Sequence, residues 1–181
     1  MAESIGAGRL QIVALAGARA SGKTSIATVL RRAHGYEVRS FGDEVRRQAV
    51  TRGLNTDRES LRELGVQLIA EWGLDEFSQR VLAGASGPTV VEGVRHLEAV
   101  AALRRLAPVT LVFIRTSSSA RTARLAARAN EDLSAQAEQH STELEVPQLE
   151  SLADLVVDGD AIDQAAEQVA LYVRKTVQLG S

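Results

Sequence analysis

A run of eight residues near the start of the chain constrains its fold more than any other feature. Residues 17–24 read GARASGKT and fit the pattern G-x-x-x-x-G-K-[S/T]. The mostly apolar segment 10–16 (LQIVALA) precedes the run and predicts a buried strand, and Ile26, Val29 and Leu30 follow it at helical spacing. A chain with this pattern between a strand and a helix is expected to build an α/β domain.

Strand-like and helix-like segments alternate along the rest of the chain. Short apolar strands are predicted at 36–41, 89–92, 109–114 and 155–158. Helices are predicted at 43–51, 75–83, 97–106, 120–129 and 162–177, and one more begins at a capping box of Thr56 and Glu59. Because the strands lack strict alternation of polar and apolar residues, they predict a parallel sheet with helices on both faces, in a single domain over 1–181.

Composition argues against several classes of function. The 181 residues include no cysteine, which rules out disulfides, cysteine nucleophiles and thiolate metal sites. The formal net charge of −2 argues against a nucleic-acid partner, since nucleic-acid binders usually carry a basic excess. The chain has no apolar run of about 18 residues, and its first residues do not resemble a secretory signal. We therefore expect a cytoplasmic protein with no membrane partner, and the oligomeric state, including a homodimer, stays open.

The glycine-containing run has the chemistry of a phosphate-binding loop. Gly17 and Gly22 allow backbone conformations that a β-carbon obstructs, so that successive N–H groups converge on an anion. The helix that follows adds the positive end of its dipole, Lys23 reaches the β- and γ-phosphates, and the Thr24 hydroxyl binds Mg²⁺. We therefore predict that ATP and Mg²⁺ bind at Gly17, Ala18, Arg19, Ala20, Ser21, Gly22, Lys23, Thr24 and Ser25.

Three further patterns narrow the class of nucleotide-binding protein. GDEVR (42–46) follows the second predicted strand, EGVR (92–95) ends the third, and RLAAR (124–128) follows the fourth. The guanine-reading N/T-K-x-D box and the LSGGQ signature of transporter ATPases are absent from the sequence. Together with the loop, these patterns resemble those of the nucleoside monophosphate kinase superfamily, to which adenylate kinase and dephospho-CoA kinase belong.

The resemblance extends from Leu10 over most of the chain and implies a complete architecture. It implies a three-layer P-loop NTPase fold, with a five-stranded parallel sheet in the order 2-3-1-4-5 and helices on both faces. An acceptor-binding helical part is implied at about 42–84 and a short lid at about 130–146.

The resemblance also implies roles for individual side chains. The residues implied in acceptor binding are Phe41, Gly42, Asp43, Arg46, Gly93 and Arg95. Arginine suits the acceptor phosphate because its planar fork binds two oxygens at once, and the Phe41 ring is expected to stack on the acceptor. The resemblance implies that Glu92 and Thr24 together bind Mg²⁺. The residues implied in catalysis are Lys23, Asp43, Arg124 and Arg128, with Arg124 against the adenine and Arg128 at the phosphates.

The chain departs from the family's patterns in two places. Glu92 stands where aspartate is usual, and Val94 stands where proline is common. The predicted lid carries five acidic residues and no lysine or arginine, whereas the lids of the family often carry arginines. His140 within this lid is a candidate to contact a part of the acceptor other than its phosphate.

The sequence leaves the acceptor open. If the attacking oxygen belongs to a phosphate, it is already ionised and needs no base, as in a nucleoside monophosphate kinase. If it belongs to a hydroxyl, as in dephospho-CoA kinase, Asp43 or Glu92 would accept its proton. A third alternative is an ATP-binding regulatory module with little transfer activity.

Overall fold

Five parallel strands form one sheet at the centre of the computed structural model, which describes residues 10–129 and 146–179. The strands are β1 (Gln11–Ala16), β2 (Glu37–Ser40), β3 (Pro88–Glu92), β4 (Val109–Arg115) and β5 (Leu155–Asp158). They lie in the order β2-β3-β1-β4-β5, and each neighbouring pair is parallel. The predicted strand order is therefore confirmed.

Helices cover both faces of the sheet, as predicted. They are α1 (Lys23–His34), α2 (Phe41–Thr51), α3 (Arg58–Val81), α4 (Leu97–Leu106), α5 (Ser118–Ala129), α6 (Val146–Ser151) and α7 (Ile162–Leu179). Helices α1 and α7 pack on one face, and α2, α3 and α4 pack on the other. Within the described ranges, no helix combines the length and apolar character needed to cross a membrane.

The central strand β1 lies between two apolar layers. Its residues 12–16 are 0% exposed. One layer includes Leu68 and Leu103, and the other includes Leu30 and Val169. Because both faces of β1 are covered, its apolar run needs no polar alternation, and its end is held rigidly where the phosphate loop begins.

The second strand ends one residue earlier than the sequence predicts. Ser40 is its last residue, and the Ser40 Oγ accepts hydrogen bonds from the N–H groups of Gly42 (3.1 Å) and Asp43 (3.4 Å). This is the geometry of a helix N-cap, so α2 begins at Phe41 and Asp43 lies in its first turn.

Helix α3 also differs from its prediction. Its cap is Asp57 and not Thr56, since the Asp57 carboxylate accepts from the Ser60 N–H at 3.1 Å. The two helices predicted here are both present: the backbone of Gly73, with φ 70° and ψ 167°, is not helical and separates two helical segments within α3. Helix α6 was not predicted, and most of the predicted lid (130–145), with His140, lies outside the described residues.

Candidate active site

The phosphate loop requires glycine at both ends of its motif. Gly17 has a φ of 141° and Gly22 a φ of 102°, and Ala20 between them also has a positive φ of 60°. A Cβ at Gly17 would lie 2.7 Å from the Ile114 carbonyl oxygen, and one at Gly22 would lie 2.8 Å from Ile162 Cδ1. The backbone of β4 therefore leaves no room for a side chain at Gly17, and the left-handed backbone conformation at Gly22 disfavours any residue other than glycine.

The Lys23 ammonium lies against the backbone of the phosphate loop. Its Nζ donates to the carbonyl oxygens of Gly17 (2.7 Å) and Ala18 (2.8 Å) and to Ser21 Oγ (3.3 Å). Lys23 is also the first residue of α1, so the ammonium and the positive end of the helix dipole lie together. Two other residues predicted at the nucleotide are close by in sequence, Arg19 in the loop and Ser25 in the first turn of α1.

A hydrogen bond joins the phosphate loop to the end of β3. The Thr24 hydroxyl donates to Glu92 Oε1 at 2.9 Å. Burial raises the pKa of the Glu92 carboxyl above its ordinary value; the Thr24 hydrogen bond and the Lys23 charge oppose this rise, and the charge of Asp43 adds to it. The Glu92 carboxyl therefore lies close enough to the Lys23 ammonium and the Asp43 carboxylate for their charges to act on it.

The Thr24 hydroxyl and the Glu92 carboxylate fit the requirements of Mg²⁺. This ion prefers oxygen ligands and is usually held by one or two protein groups together with substrate phosphates. In the part of the chain that the structure describes, no group of three or more His, Cys, Asp or Glu residues could hold a metal ion by itself. Thr24 and Glu92 are thus candidates to hold the ion jointly with a nucleotide.

The exit of β3 packs against the start of α2. Gly93 has a φ of 80°, and a Cβ there would lie 3.5 Å from Phe41 Cβ and 3.8 Å from the Gly42 nitrogen. The two segments in which acceptor-binding residues are predicted, 42–46 and 92–95, therefore adjoin each other at the same sheet edge as the phosphate loop.

These two segments each present an exposed guanidinium group, on Arg46 and on Arg95. Neither arginine makes an ion pair with any described residue, whereas the adjacent Arg47 is bound to Glu44 at 2.6 Å. Asp43 is exposed in the same first turn of α2. Two positive charges that no described acid neutralises are suited to bind an anion.

Phe41 is engaged in the core and not open for stacking. It is 8% exposed, and its ring lies edge-on to Phe77 with centroids 5.2 Å apart. The prediction that the Phe41 ring stacks on an acceptor is therefore wrong. The ring instead packs the start of α2 against the exit of β3.

Arg124 connects helix α5 to the phosphate loop. Its Nη1 donates to the Ala20 carbonyl (3.3 Å) and its Nη2 to the Gly159 carbonyl (2.8 Å), and Asp160 Oδ1 lies 3.9 Å away. The structure thus places this predicted catalytic residue at the edge of the loop. The side chain of Arg128 lies outside the described residues.

Two residues beside the loop were missed by the sequence analysis. The Thr116 hydroxyl donates to the Ser21 carbonyl at 2.8 Å. A Cβ at Gly159 would lie 2.1 Å from the same oxygen, so only glycine fits there. The available signal was weak: a glycine directly after the last predicted strand, and a threonine two residues after the fourth.

Sequence comparisons match this chain to two groups of proteins. Residues 13–146 match the model of the family described as AAA domain. A UPF0200 protein of Pyrobaculum aerophilum is 33% identical over 127 residues, which are 68% of this chain and 69% of the relative. A UPF0200 protein of Thermococcus gammatolerans is 32% identical over 130 residues, which are 67% of this chain and 68% of the relative.

Solved structures of small-molecule kinases share the fold. A shikimate kinase from Aquifex aeolicus has a TM-score of 0.54 and 19% identity, over 94% of this chain and 99% of that chain. An APS kinase from Mycobacterium tuberculosis, in complex with AMPPNP and APS, has a TM-score of 0.55 and 19% identity, over 92% of this chain and 98% of that chain. At this level of identity the similarity shows a common P-loop kinase fold.

Proposed function

We propose that this chain, which belongs to the AAA domain family and to the UPF0200 family, is a kinase that transfers the γ-phosphate of ATP to a small phosphorylated acceptor. One observation carries the proposal. Glu92 accepts a hydrogen bond from Thr24 of the phosphate loop, and a Cβ on the next residue, Gly93, would lie 3.5 Å from Phe41 Cβ at the start of α2. A nucleotide in the loop and an anion near Arg46 and Arg95 would therefore be neighbours.

The residues of the loop would bind and orient ATP. The backbone N–H groups at the start of α1 and the Lys23 ammonium would bind the β- and γ-phosphates. Thr24 and Glu92 would hold Mg²⁺, which neutralises phosphate charge when it is bound. Arg124 already contacts the loop and would add positive charge at its edge.

The acceptor would be held by Arg46 and Arg95 with its nucleophilic oxygen facing the γ-phosphate. The bond between the γ-phosphorus and the bridging oxygen of ADP breaks, and a bond from the acceptor oxygen to phosphorus forms. With a nucleoside monophosphate the attacking phosphate oxygen is already ionised, so no base is needed. This acceptor class is our first candidate because it uses both arginines for one phosphate.

A hydroxyl acceptor on a phosphorylated metabolite, such as dephospho-CoA, is the second candidate. One observation favours it: the exposed Asp43 carboxylate is near enough to Glu92 to raise the pKa of that residue. Asp43 would then accept the proton that the hydroxyl loses on attack. The named activities of the structural neighbours, a shikimate kinase and an APS kinase, are compatible with this reading.

The test is an ADP-release assay with Mg·ATP and a panel of nucleoside monophosphates and dephospho-CoA. Arg46→Ala and Arg95→Ala should each raise the acceptor KM by roughly 10-fold or more, since a charge-assisted hydrogen bond is worth about 1.5–3 kcal/mol. Lys23→Ala should abolish transfer. Arg31→Ala is the matched control, because Arg31 is exposed on α1 and has no ion pair among the described residues.

Two outcomes would contradict the proposal. An unchanged acceptor KM in both arginine variants would remove the assigned acceptor site. Tight ATP binding with no turnover on any acceptor of the panel would instead indicate the regulatory module considered above.

A further inference from the structure

Two turns hold one peptide unit of the phosphate loop from outside. Thr116, in the turn between β4 and α5, donates its hydroxyl hydrogen to the Ser21 carbonyl at 2.8 Å. Gly159, in the turn between β5 and α7, packs so closely on the same oxygen that a Cβ would lie 2.1 Å from it. Ser21 is 1% exposed, so this carbonyl has little freedom to rotate.

The direction of the Ser21 carbonyl determines the direction of the next N–H group. The Ser21 C=O and the Gly22 N–H belong to one peptide unit, and in a trans peptide these two groups point in opposite directions. The bond from Thr116 therefore turns the Gly22 N–H away from Thr116 and Gly159. No described residue accepts a hydrogen bond from this N–H.

The neighbouring peptide unit shows why Thr116 differs from Arg124. Arg124 donates to the Ala20 carbonyl, but the N–H of that unit, on Ser21, already donates to the Ala18 carbonyl at 3.2 Å. The bond from Arg124 thus orients an N–H that is used inside the loop. The bond from Thr116 orients an N–H that stays available to a ligand.

We infer that Thr116 is a positioning residue for the nucleotide, whose hydroxyl aims the Gly22 N–H at a phosphate oxygen of ATP. Thr116 itself needs no contact with the nucleotide. The inference rests on the ATP binding in the proposed function and is independent of which acceptor is used.

The test compares Thr116→Val, which keeps the shape and removes the hydroxyl, with Thr116→Ser, which keeps the hydroxyl. By calorimetry with Mg·ATP, Thr116→Val should bind about 5- to 10-fold more weakly, the effect of one lost hydrogen bond, and Thr116→Ser should stay within about 2-fold of the wild type. In the transfer assay, Thr116→Val should raise the KM for ATP more than it lowers kcat.

Two further measurements separate positioning from general loss of structure. Thr110→Val is the matched control, because Thr110 is buried on β4, the strand that precedes the turn with Thr116, and makes no side-chain hydrogen bond within the described residues. It should leave the ATP affinity unchanged. At saturating Mg·ATP, the NMR signal of the Gly22 amide should shift strongly in the wild type and in Thr116→Ser, and the shift should be clearly smaller in Thr116→Val.

Three results would overturn the inference: wild-type ATP affinity in Thr116→Val, an equal loss in Thr116→Ser, or an equal loss in Thr110→Val. Failure of the proposed function looks different. If the expected differences in ATP affinity occur but no acceptor is phosphorylated, the kinase proposal fails while the role of Thr116 holds. If the wild type binds no Mg·ATP, both fail.

Discussion

Gly159 packs against the phosphate loop more closely than any side chain could. Its carbonyl oxygen accepts from Arg124 at 2.8 Å, and its N–H donates to the Arg115 carbonyl at 2.7 Å. A Cβ at this position would lie 2.1 Å from the Ser21 carbonyl oxygen and 2.4 Å from Thr116 Oγ1. Because these groups belong to backbone and to a hydrogen-bonded side chain, a methyl group at 159 could be accommodated only by moving the loop.

We therefore predict that Gly159→Ala weakens the binding of Mg·ATP by roughly 10-fold or more, with a loss of stability of about 1–3 kcal/mol for an overpacked site. Gly87→Ala is the control, since a Cβ there would meet no atom within 4 Å and its φ is not positive. Calorimetric titration and thermal unfolding of both variants provide the measurement. Wild-type affinity in Gly159→Ala would show that the loop tolerates displacement.

At the scale of elements, the junction of β2 and α2 carries the predicted acceptor site. Ser40 pairs with Glu92 in the register of β2 and β3, and its Oγ caps α2 through the N–H groups of Gly42 and Asp43. One side chain thus connects the sheet edge to the first turn of the helix. The position of Asp43 relative to Glu92 depends on this cap.

Loss of the cap should therefore lower both the stability of the fold and the affinity for the acceptor. Ser40→Ala is expected to lower the free energy of unfolding by about 1 kcal/mol. Ser40→Asn should keep nearly the wild-type stability, because asparagine is also a favoured N-cap. The acceptor KM should rise in Ser40→Ala while the KM for ATP changes little. Urea unfolding and steady-state kinetics test this; equal stability of the alanine variant and the wild type would contradict it.

At the scale of the whole molecule, Tyr36 is the largest side chain among those nearly fully buried. It is 2% exposed in the layer between the sheet and α1 and α7, and its hydroxyl has no hydrogen-bond partner among the described residues. Burial raises the pKa of Tyr36 to about 12, and the charge of Arg174 opposes this rise. The pKa of tyrosine in an unfolded chain is about 10.

This difference predicts how stability depends on pH. Between about pH 10 and about 12 the unfolded chain loses the Tyr36 proton while the folded protein keeps it, so the free energy of unfolding falls as the pH rises, by about 2–3 kcal/mol in total. Tyr36→Phe removes this contribution and should be as stable as the wild type or more stable at pH values below about 9, since an unpaired buried hydroxyl is lost. Chemical unfolding of both proteins across this range is the measurement. If the free energies of unfolding of the two proteins fell equally between about pH 10 and about pH 12, the effect could not be assigned to Tyr36.

The local patterns in the sequence determined the order of elements and the phosphate loop. Apolar runs without alternation identified the buried strands, and GARASGKT identified the loop, because both signals arise from residues that are neighbours in the chain. The strand order came from the resemblance to a known superfamily. The boundary at Ser40 escaped prediction because a helix cap and a strand end compete for the same residue.

Only the tertiary structure decided which distant residues complete the site. Thr24 meets Glu92 across 68 positions of the sequence, and Thr116 meets Ser21 across 95. Such contacts leave no periodic or local signature, because they depend on parallel strands bringing their carboxyl ends to one edge of the sheet. The same reason explains why Phe41, the last residue of the second predicted strand, lies in the core, while Gly159 lies against the phosphate loop.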